Sequence, residues 1–279
     1  MRANRMLKID LAWAQMQGTR ESQQDTVAVL TWPNGFRLLL LADGMGGQAG
    51  GEIASKLIVE EFKQSFINNS TAPNMRERLL DALEAANLAL YQYISEQPHM
   101  QGMGTTLVAV VYDGDSIQWL SVGDSPMWLI RHDCVKRINE NHSMAAKLAE
   151  QVAAGQLSAE DAAISPDRSQ LLEAVLGEDI TIFDAPESPA PLQQGDWVII
   201  ASDGVETCSE QQLLSLSKHS DAAEDSTDTF VSKVLDSIEQ AGKLSQDNAS
   251  IIALRVTGPV EQSSGDTSGI NKVVTARSR

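Results

Sequence analysis

The sequence predicts an α+β fold built in layers, and three observations carry that expectation. Pro33-Asn34-Gly35 separates two β-patterned runs and Asp113-Gly114-Asp115 separates two more, so neighbouring strands are joined by tight hairpins. Two long helical patterns follow one another directly between those hairpins, and two more come together near residues 209–241. Helices inserted in pairs among hairpins favour a layered sandwich over an alternating βαβ arrangement.

The elements are expected in this order. Residues 8–15 alternate and open the fold as a strand; 25–32 and 36–42 flank the first hairpin signal. In 50–66, Ile53, Leu57, Ile58, Phe62 and Phe66 fall on one helical face, and in 74–96 Leu79, Leu83, Ala86, Leu90 and Tyr93 do the same. Strands return at 105–112, 116–122, 127–131 and 135–138. Residues 143–177 are rich in Ala, Gln and Glu and read as helical or irregular. Residues 180–184 and 196–201 read as strands, 209–217 and 227–241 as helices, and 249–256 as the last strand. Residues 258–279 are polar and rich in Gly, Ser and Thr, and read as a disordered C-terminal tail. With no repeat at solenoid spacing, residues 7–257 are expected to form one folded unit.

Composition narrows the function classes. The 279 residues carry 21 basic and 38 acidic side chains, a formal net charge of −17. Such a surface repels nucleic acid and anionic lipid, so neither is expected as a partner. Cys134 and Cys208 show no CxxC spacing and are too few for a disulfide framework. Apolar runs such as Leu38-Leu39-Leu40-Leu41-Ala42 are far short of a membrane span, and the N-terminal residues do not read as a signal peptide. The expected location is cytoplasmic.

The chemistry-bearing motifs are aspartates at strand ends. LLLLADGMGGQAGGE (38–52) and GDWVIIASDGVE (195–206) each run an apolar strand into Asp-Gly, at Asp43-Gly44 and Asp203-Gly204. SVGDSPMW (121–128) places Asp124 after another strand, DNASIIAL (247–254) places Asp247 before the last one, and GTRESQQD (18–25) opens a strand with Asp25, five residues after Arg20. Singly, each aspartate also fits a turn or cap, and the glycines after Asp43 fit a tight turn. Gly44, Gly46 and Ala49 match a dinucleotide fingerprint, but the acidic residue that should end a second strand is missing from FKQSFINNSTAPN, so no NAD(H) binding is expected. Collected in one cleft, several carboxylates would repel one another unless cations sat between them. Carboxylate and carbonyl donors without His or Cys suit Mg²⁺ or Mn²⁺. Paired ions of that kind activate a water and clamp an in-line displacement at phosphorus, and an arginine such as Arg20 holds phosphate through two donors. Other hydrolase patterns fail. Glu140 and Leu214 stand where a C-x5-R phosphatase loop needs arginine, and HExxH, GxSxG and the P-loop are absent. His142-Ser143 reads as a helix entrance, with Ser143 as its N-cap.

Together, GTRESQQD, DGMGGQAGGEIAS, GMGTTLVAVV, SVGDSPMWLIR, INENHSM, GDWVIIASDG and DNASIIAL resemble, in this order, the metal-dependent serine/threonine phosphatases of the protein phosphatase 2C family. DGMGG resembles the bacterial members, and the stretch from VGDSPMWLIR to NENHSMAAKL a proteobacterial branch. The resemblance implies a four-layer α/β/β/α sandwich of two antiparallel sheets flanked by helices, with a dinuclear site at one end of the sheets. It implies that Asp25, Asp43, Gly44 (through its carbonyl), Asp203 and Asp247 hold two Mg²⁺ or Mn²⁺ ions. It also implies that Arg20 binds phosphate, that Asp124 with Asp203 serves a third ion, and that residues 145–185 form a flap. Some positions depart from the family pattern: Gln23 and Gln24 before Asp25, Met45 where eukaryotic members carry a general-acid histidine, Gln48, and Ser165 and Ser169 in SPDRS. The implied activity is hydrolysis of phosphoserine and phosphothreonine in signalling proteins, with a cognate serine/threonine kinase as a further partner. The alternative from another class is a catalytically silent phosphoprotein-binding module on the same fold.

Overall fold

A computed structural model describes residues 6–68, 71–223 and 225–259. Two antiparallel sheets lie face to face, each covered outside by a pair of helices. The chain enters through β1 (Leu7–Met16), then makes β2 (Asp25–Thr31), β3 (Arg37–Met45), α1 (Gly47–Asn68) and α2 (Met75–Glu96). A two-residue strand, β4 (Gly104–Thr105), leads to β5 (Leu107–Tyr112), β6 (Ser116–Val122), β7 (Met127–Arg131) and β8 (Cys134–Arg137). Next come α3 (Met144–Ala153), α4 (Ala159–Ile164), β9 (Ala190–Pro191), β10 (Trp197–Ala201), α5 (Glu210–Ala222), α6 (Thr227–Ala241) and β11 (Ala249–Pro259). One sheet has the order β2-β3-β5-β6-β9, with β4 added beside β3; the other has the order β1-β11-β10-β7-β8.

The four-leucine run explains the layering. Successive side chains of a strand point to opposite faces. Leu38, Leu40 and Ala42 pack with Ile58, Phe62 and Leu83 of α1 and α2, while Leu39 and Leu41 pack against Val198, Ile200 and Ile252 of the other sheet. A strand covered on both faces needs no polar alternation, so it reads as a continuous apolar run. Across the sandwich, Trp197, Ile199 and Ala201 face the α5–α6 layer, where the Trp197 and Phe230 rings lie 4.5 Å apart.

The structure differs from the sequence reading in several places. Residues 180–184 form no strand; only Asp184 bridges Ser121, and the Glu173 carboxylate accepts the backbone N–H groups of Thr181 and Ile182. A side chain there supplies the partners that a neighbouring strand would. Helix α1 starts at Gly47, ahead of the predicted start at residue 50, and within it Gly51 closes against Gly44 of β3. Strand β11 runs on to Pro259, paired with Leu7. The rest of the predicted tail, 260–279, lies outside the described residues. No helix among the described residues is long and apolar enough to cross a membrane.

Phe62 is fully buried between α1 and the sheet. Phe62→Ala is expected to cost about 3–5 kcal/mol of folding stability by leaving a cavity, measured by urea denaturation.

Candidate metal centre

The strand register brings the first two aspartates together. Asp25 opens β2, Asp43 lies near the end of β3, and the two are direct cross-strand partners. Asp203 follows β10 and Asp247 precedes β11, strands paired through Ala201 and Ile251 at the same end of the other sheet. A cleft of about 520 Å³ opens there, lined by Asp43, Gly44, Asp124, Asp203, Asp247 and Arg20 among others. Asp25 is not itself in the lining; it is buried beside Asp43, only 5% exposed.

The sheets are stitched at this point. The Ser202 and Ser250 hydroxyls, both from the β10–β11 sheet, donate to Asp25 Oδ2 at 2.8 and 2.6 Å. Asp25 Oδ1 is buried with no hydrogen-bond partner. The Asp43 amide donates to Thr106 Oγ1 at 3.1 Å, and that hydroxyl meets Ser125 Oγ at 2.7 Å, beside Asp124. Arg137 Nη2 donates to the Asp124 carbonyl at 2.7 Å, fixing that loop from below. Asn248 clamps the loop that carries Arg20: its amide donates to the Gln17 and Ser22 carbonyls, and its Oδ1 accepts from the Gln24 amide. Arg20 reaches Asp247 Oδ2 at 2.5 Å. Ser202, Ser250, Thr106 and Asn248 were not singled out from the sequence. The available signal was a hydroxyl or amide at the end of an otherwise apolar strand.

Both Asp-Gly steps need glycine because another backbone presses on them. A Cβ at Gly44 would lie 2.1 Å from the Gly51 carbonyl oxygen, and one at Gly204 would lie 2.0 Å from that of Asn248. The contact is reciprocal at α1, since a Cβ at Gly51 would sit 2.8 Å from the Gly44 carbonyl oxygen.

Electrostatics follow from the crowding. Burial pushes the Asp25 carboxyl up to about 6, against the pull of its two serine donors. Burial, then the charges of Asp25, Asp203, Asp247 and Asp124, hold Asp43 well above the usual carboxylate range. Asp203 is pushed up to about 7 by burial and then by Asp124, Asp247 and Asp25. It keeps an exposed edge at the cleft mouth, so water screens part of that cost. Asp124 is raised by burial, with Arg137 opposing. His142 accepts from the Gly123 amide through Nδ1 at 3.1 Å, burial lowers its pKa, and Ser143 caps α3; neither lines the cleft.

These residues fit divalent cations. The donors are hard oxygens, one buried carboxylate oxygen is unpartnered, and the mutual repulsion is what a cation relieves. Among the described residues no three acidic, histidine or cysteine side chains stand together as a ready-made cage. Mg²⁺-type ions do not require one, because they are held by one or two carboxylates and keep several waters.

The family model described as protein phosphatase 2C matches residues 16–247. The chain belongs to the protein phosphatase 2C family. Among relatives, the serine/threonine protein phosphatase PstP of Mycobacterium tuberculosis is 30% identical over 171 residues, covering 61% of this chain. The match spans only 32% of PstP's own length. The serine/threonine phosphatase Stp of Listeria innocua is 27% identical over 218 residues, covering 77% of this chain and 84% of that protein. The solved serine/threonine phosphatase of S. agalactiae superposes with a TM-score of 0.75 at 25% identity, covering 89% of this chain and all of that one. The PstP catalytic domain, solved in complex with 2 manganese ions, gives a TM-score of 0.68 at 24% identity, covering 90% of this chain and 100% of that one. The two-sheet sandwich is thus the fold of the protein phosphatase 2C family.

With folded pKa values raised above the ordinary carboxylate value, the metal-free folded chain holds more protons than the unfolded chain between about pH 4 and about pH 7. Its stability therefore falls as pH rises through that window. Asp203→Asn is expected to stabilise the metal-free protein at pH 8 by about 1 kcal/mol after screening, and to flatten the pH dependence. Denaturation with chelator at pH 5 and pH 8 measures both; a variant less stable than wild type at pH 8 would contradict the repulsion argument.

Proposed function

We propose that this chain is a divalent-metal-dependent protein serine/threonine phosphatase, with residues 7–257 as its catalytic domain and 145–185 as the flap beside the site. The observation that carries the reading is the cross-strand pairing of Asp25 with Asp43 beneath a cleft shared by Asp124, Asp203, Asp247 and Arg20. Asp25, Asp43, Asp203, Asp247 and the Gly44 carbonyl would hold two Mg²⁺ or Mn²⁺ ions, and Asp124 with Asp203 a third. When bound, such ions supply Lewis-acid activation of water and neutralise charge on a phosphoryl group. The relatives support the reading, being named serine/threonine phosphatases, one of them solved with 2 manganese ions.

The chain's own residues bind and orient. Arg20, exposed at the rim, presents paired donors to two phosphate oxygens and so aligns the ester for attack from the cleft floor. Ser202 and Ser250 keep Asp25 fixed, and Thr106 fixes the Asp43 backbone. Among the described residues the cleft lining holds no histidine, lysine, cysteine or tyrosine, so no such side chain serves the leaving oxygen there. The substrates are phosphoserine and phosphothreonine proteins, and a kinase that makes them is the implied opposing partner.

The test is Mn²⁺-dependent hydrolysis of p-nitrophenyl phosphate and of a phosphothreonine peptide. Asp203→Asn is expected to lower kcat at least about 100-fold, and Arg20→Ala to raise KM for the peptide about tenfold. An inactive wild type at saturating Mn²⁺ refutes the proposal. Absence of Mn²⁺ uptake by calorimetry would favour a silent phosphoprotein-binding module.

A further inference from the structure

A second concavity, about 770 Å³, lies between the C-terminal half of α2 and residues 176–179. Its base is apolar, formed by Leu88, Tyr91, Ile94 and Leu176. Leu88 and Tyr91 are 53% and 56% exposed, although both belong to a helix whose other face is buried against β-strands. Glu84, Glu178 and Asp179 add three carboxylates to the lining, and none of them belongs to an ion pair found among the described residues. The walls are well held: the Gly177 amide donates to Asn87 Oδ1 at 2.9 Å, and Asn87 Nδ2 donates to the Glu178 carbonyl at 2.7 Å. Gly177, at φ +76, packs directly on the Tyr91 backbone.

Two strips of backbone connect the lining of the groove to that of the catalytic cleft. Ser169 and Leu171 line the cleft, and Leu176 to Asp179 of the same segment line the groove. Gly46 of the cleft abuts Met103 and Gly102, and Gly102 lines the groove. Leu171 and Leu176 are five positions apart, so the two sites are separated along this wall by at most about 18 Å. An extended chain of five or six residues spans that distance.

We infer that this groove docks the phosphoprotein substrate itself, through an extended segment near the phosphorylated residue that carries apolar side chains flanked by Lys or Arg. Charge selects the class. The cleft accepts an anionic phosphate, whereas the groove's free carboxylates favour a cationic flank and repel an acidic one. The exposed Leu and Tyr supply the apolar anchor. The inference rests on the phosphatase reading for its substrate, and on the groove alone for the peptide class.

A short, unphosphorylated, fluorescein-labelled peptide alternating leucine with lysine or arginine tests it by anisotropy on the full chain, beside a control peptide alternating leucine with glutamate. The wild type is expected to bind the basic peptide and not the acidic one. Glu178→Lys with Asp179→Lys, or Tyr91→Ala, weakens binding about tenfold or more, whereas the same charge change on α6, Asp236→Lys with Glu239→Lys, does not. All these side chains except the Tyr91 ring are exposed carboxylates, so thermal melts should match wild type. Equal weakening by the α6 pair means non-specific attraction and overturns the inference, as does no binding. Tighter binding after removal of residues 260–279 assigns the groove to the chain's own tail, and a dimer that Tyr91→Ala dissociates assigns it to a second copy; both overturn it. In kinetics, the groove variants should lower kcat/KM about tenfold for a phosphothreonine peptide with a basic, apolar flank while leaving p-nitrophenyl phosphate unchanged. An equal fall on both substrates overturns the inference. Groove-dependent peptide binding by a wild type that hydrolyses neither substrate refutes the phosphatase reading and leaves the docking surface standing.

Discussion

Two carboxylates facing each other on adjacent strands is an arrangement that β-sheets ordinarily avoid, because like charges directly opposite repel. Here Asp25 and Asp43 occupy such a pair, with Asp124, Asp203 and Asp247 adding charge from other loops. The remainder of the fold holds that repulsion in place. Leu38 to Leu41 lead directly to Asp43 and are fully buried, contributing on the order of 6–12 kcal/mol of burial in one strand. The strand cannot slide away from its partner without moving its whole apolar set, since a one-residue slip exchanges the two faces.

The location of the site follows from the sandwich. The mutual ends of β2 and β3 in one sheet and of β10 and β11 in the other meet at one edge of the layered core. Separate sheets could drift relative to each other, and Ser202 and Ser250 prevent that by reaching from one sheet to the Asp25 carboxylate of the other. The other oxygen of Asp25 is buried without a hydrogen-bond partner. A structural carboxylate would have both oxygens satisfied, because a buried unmet acceptor costs about 1–3 kcal/mol. The glycines serve the same geometry: Gly44 and Gly204 let a second backbone close against each aspartate, as no larger residue could.

Much of this was legible from the sequence. The hairpins announced themselves through Pro33-Asn34-Gly35 and Asp113-Gly114-Asp115, where Gly35 and Gly114 adopt φ +88 and +118. The strand-Asp-Gly motif marked Asp43 and Asp203 because it combines a local pattern with a steric requirement. What stayed hidden depends on tertiary contact. Nothing local distinguishes Ser202 or Ser250 from a serine ending any strand. The apolar alternation at 180–184 suggested a strand, yet Glu173, seven or more positions away in sequence, takes the backbone donors instead. The glycines after Asp43 read as a turn, and Gly46 and Gly47 do turn the chain at φ +115 and +80; Gly51 lies inside α1, where glycine costs a helix about 1 kcal/mol, because α1 closes there against Gly44.

The acidic balance of the chain then bears on Arg20. A protein of formal charge −17 repels an anionic phosphoester at long range, more so with four aspartates lining its cleft. In the metal-free state Arg20 is the counter-charge of Asp247, and its guanidinium cannot fully serve that carboxylate and a phosphate at once. Neutralisation of Asp247 by a cation would remove this competition and release the fork of donors for phosphate. With the roles proposed above, substrate affinity and cation occupancy would be linked through one side chain, and reciprocally: whatever strengthened the hold of cations on Asp247 would strengthen the hold of Arg20 on phosphate.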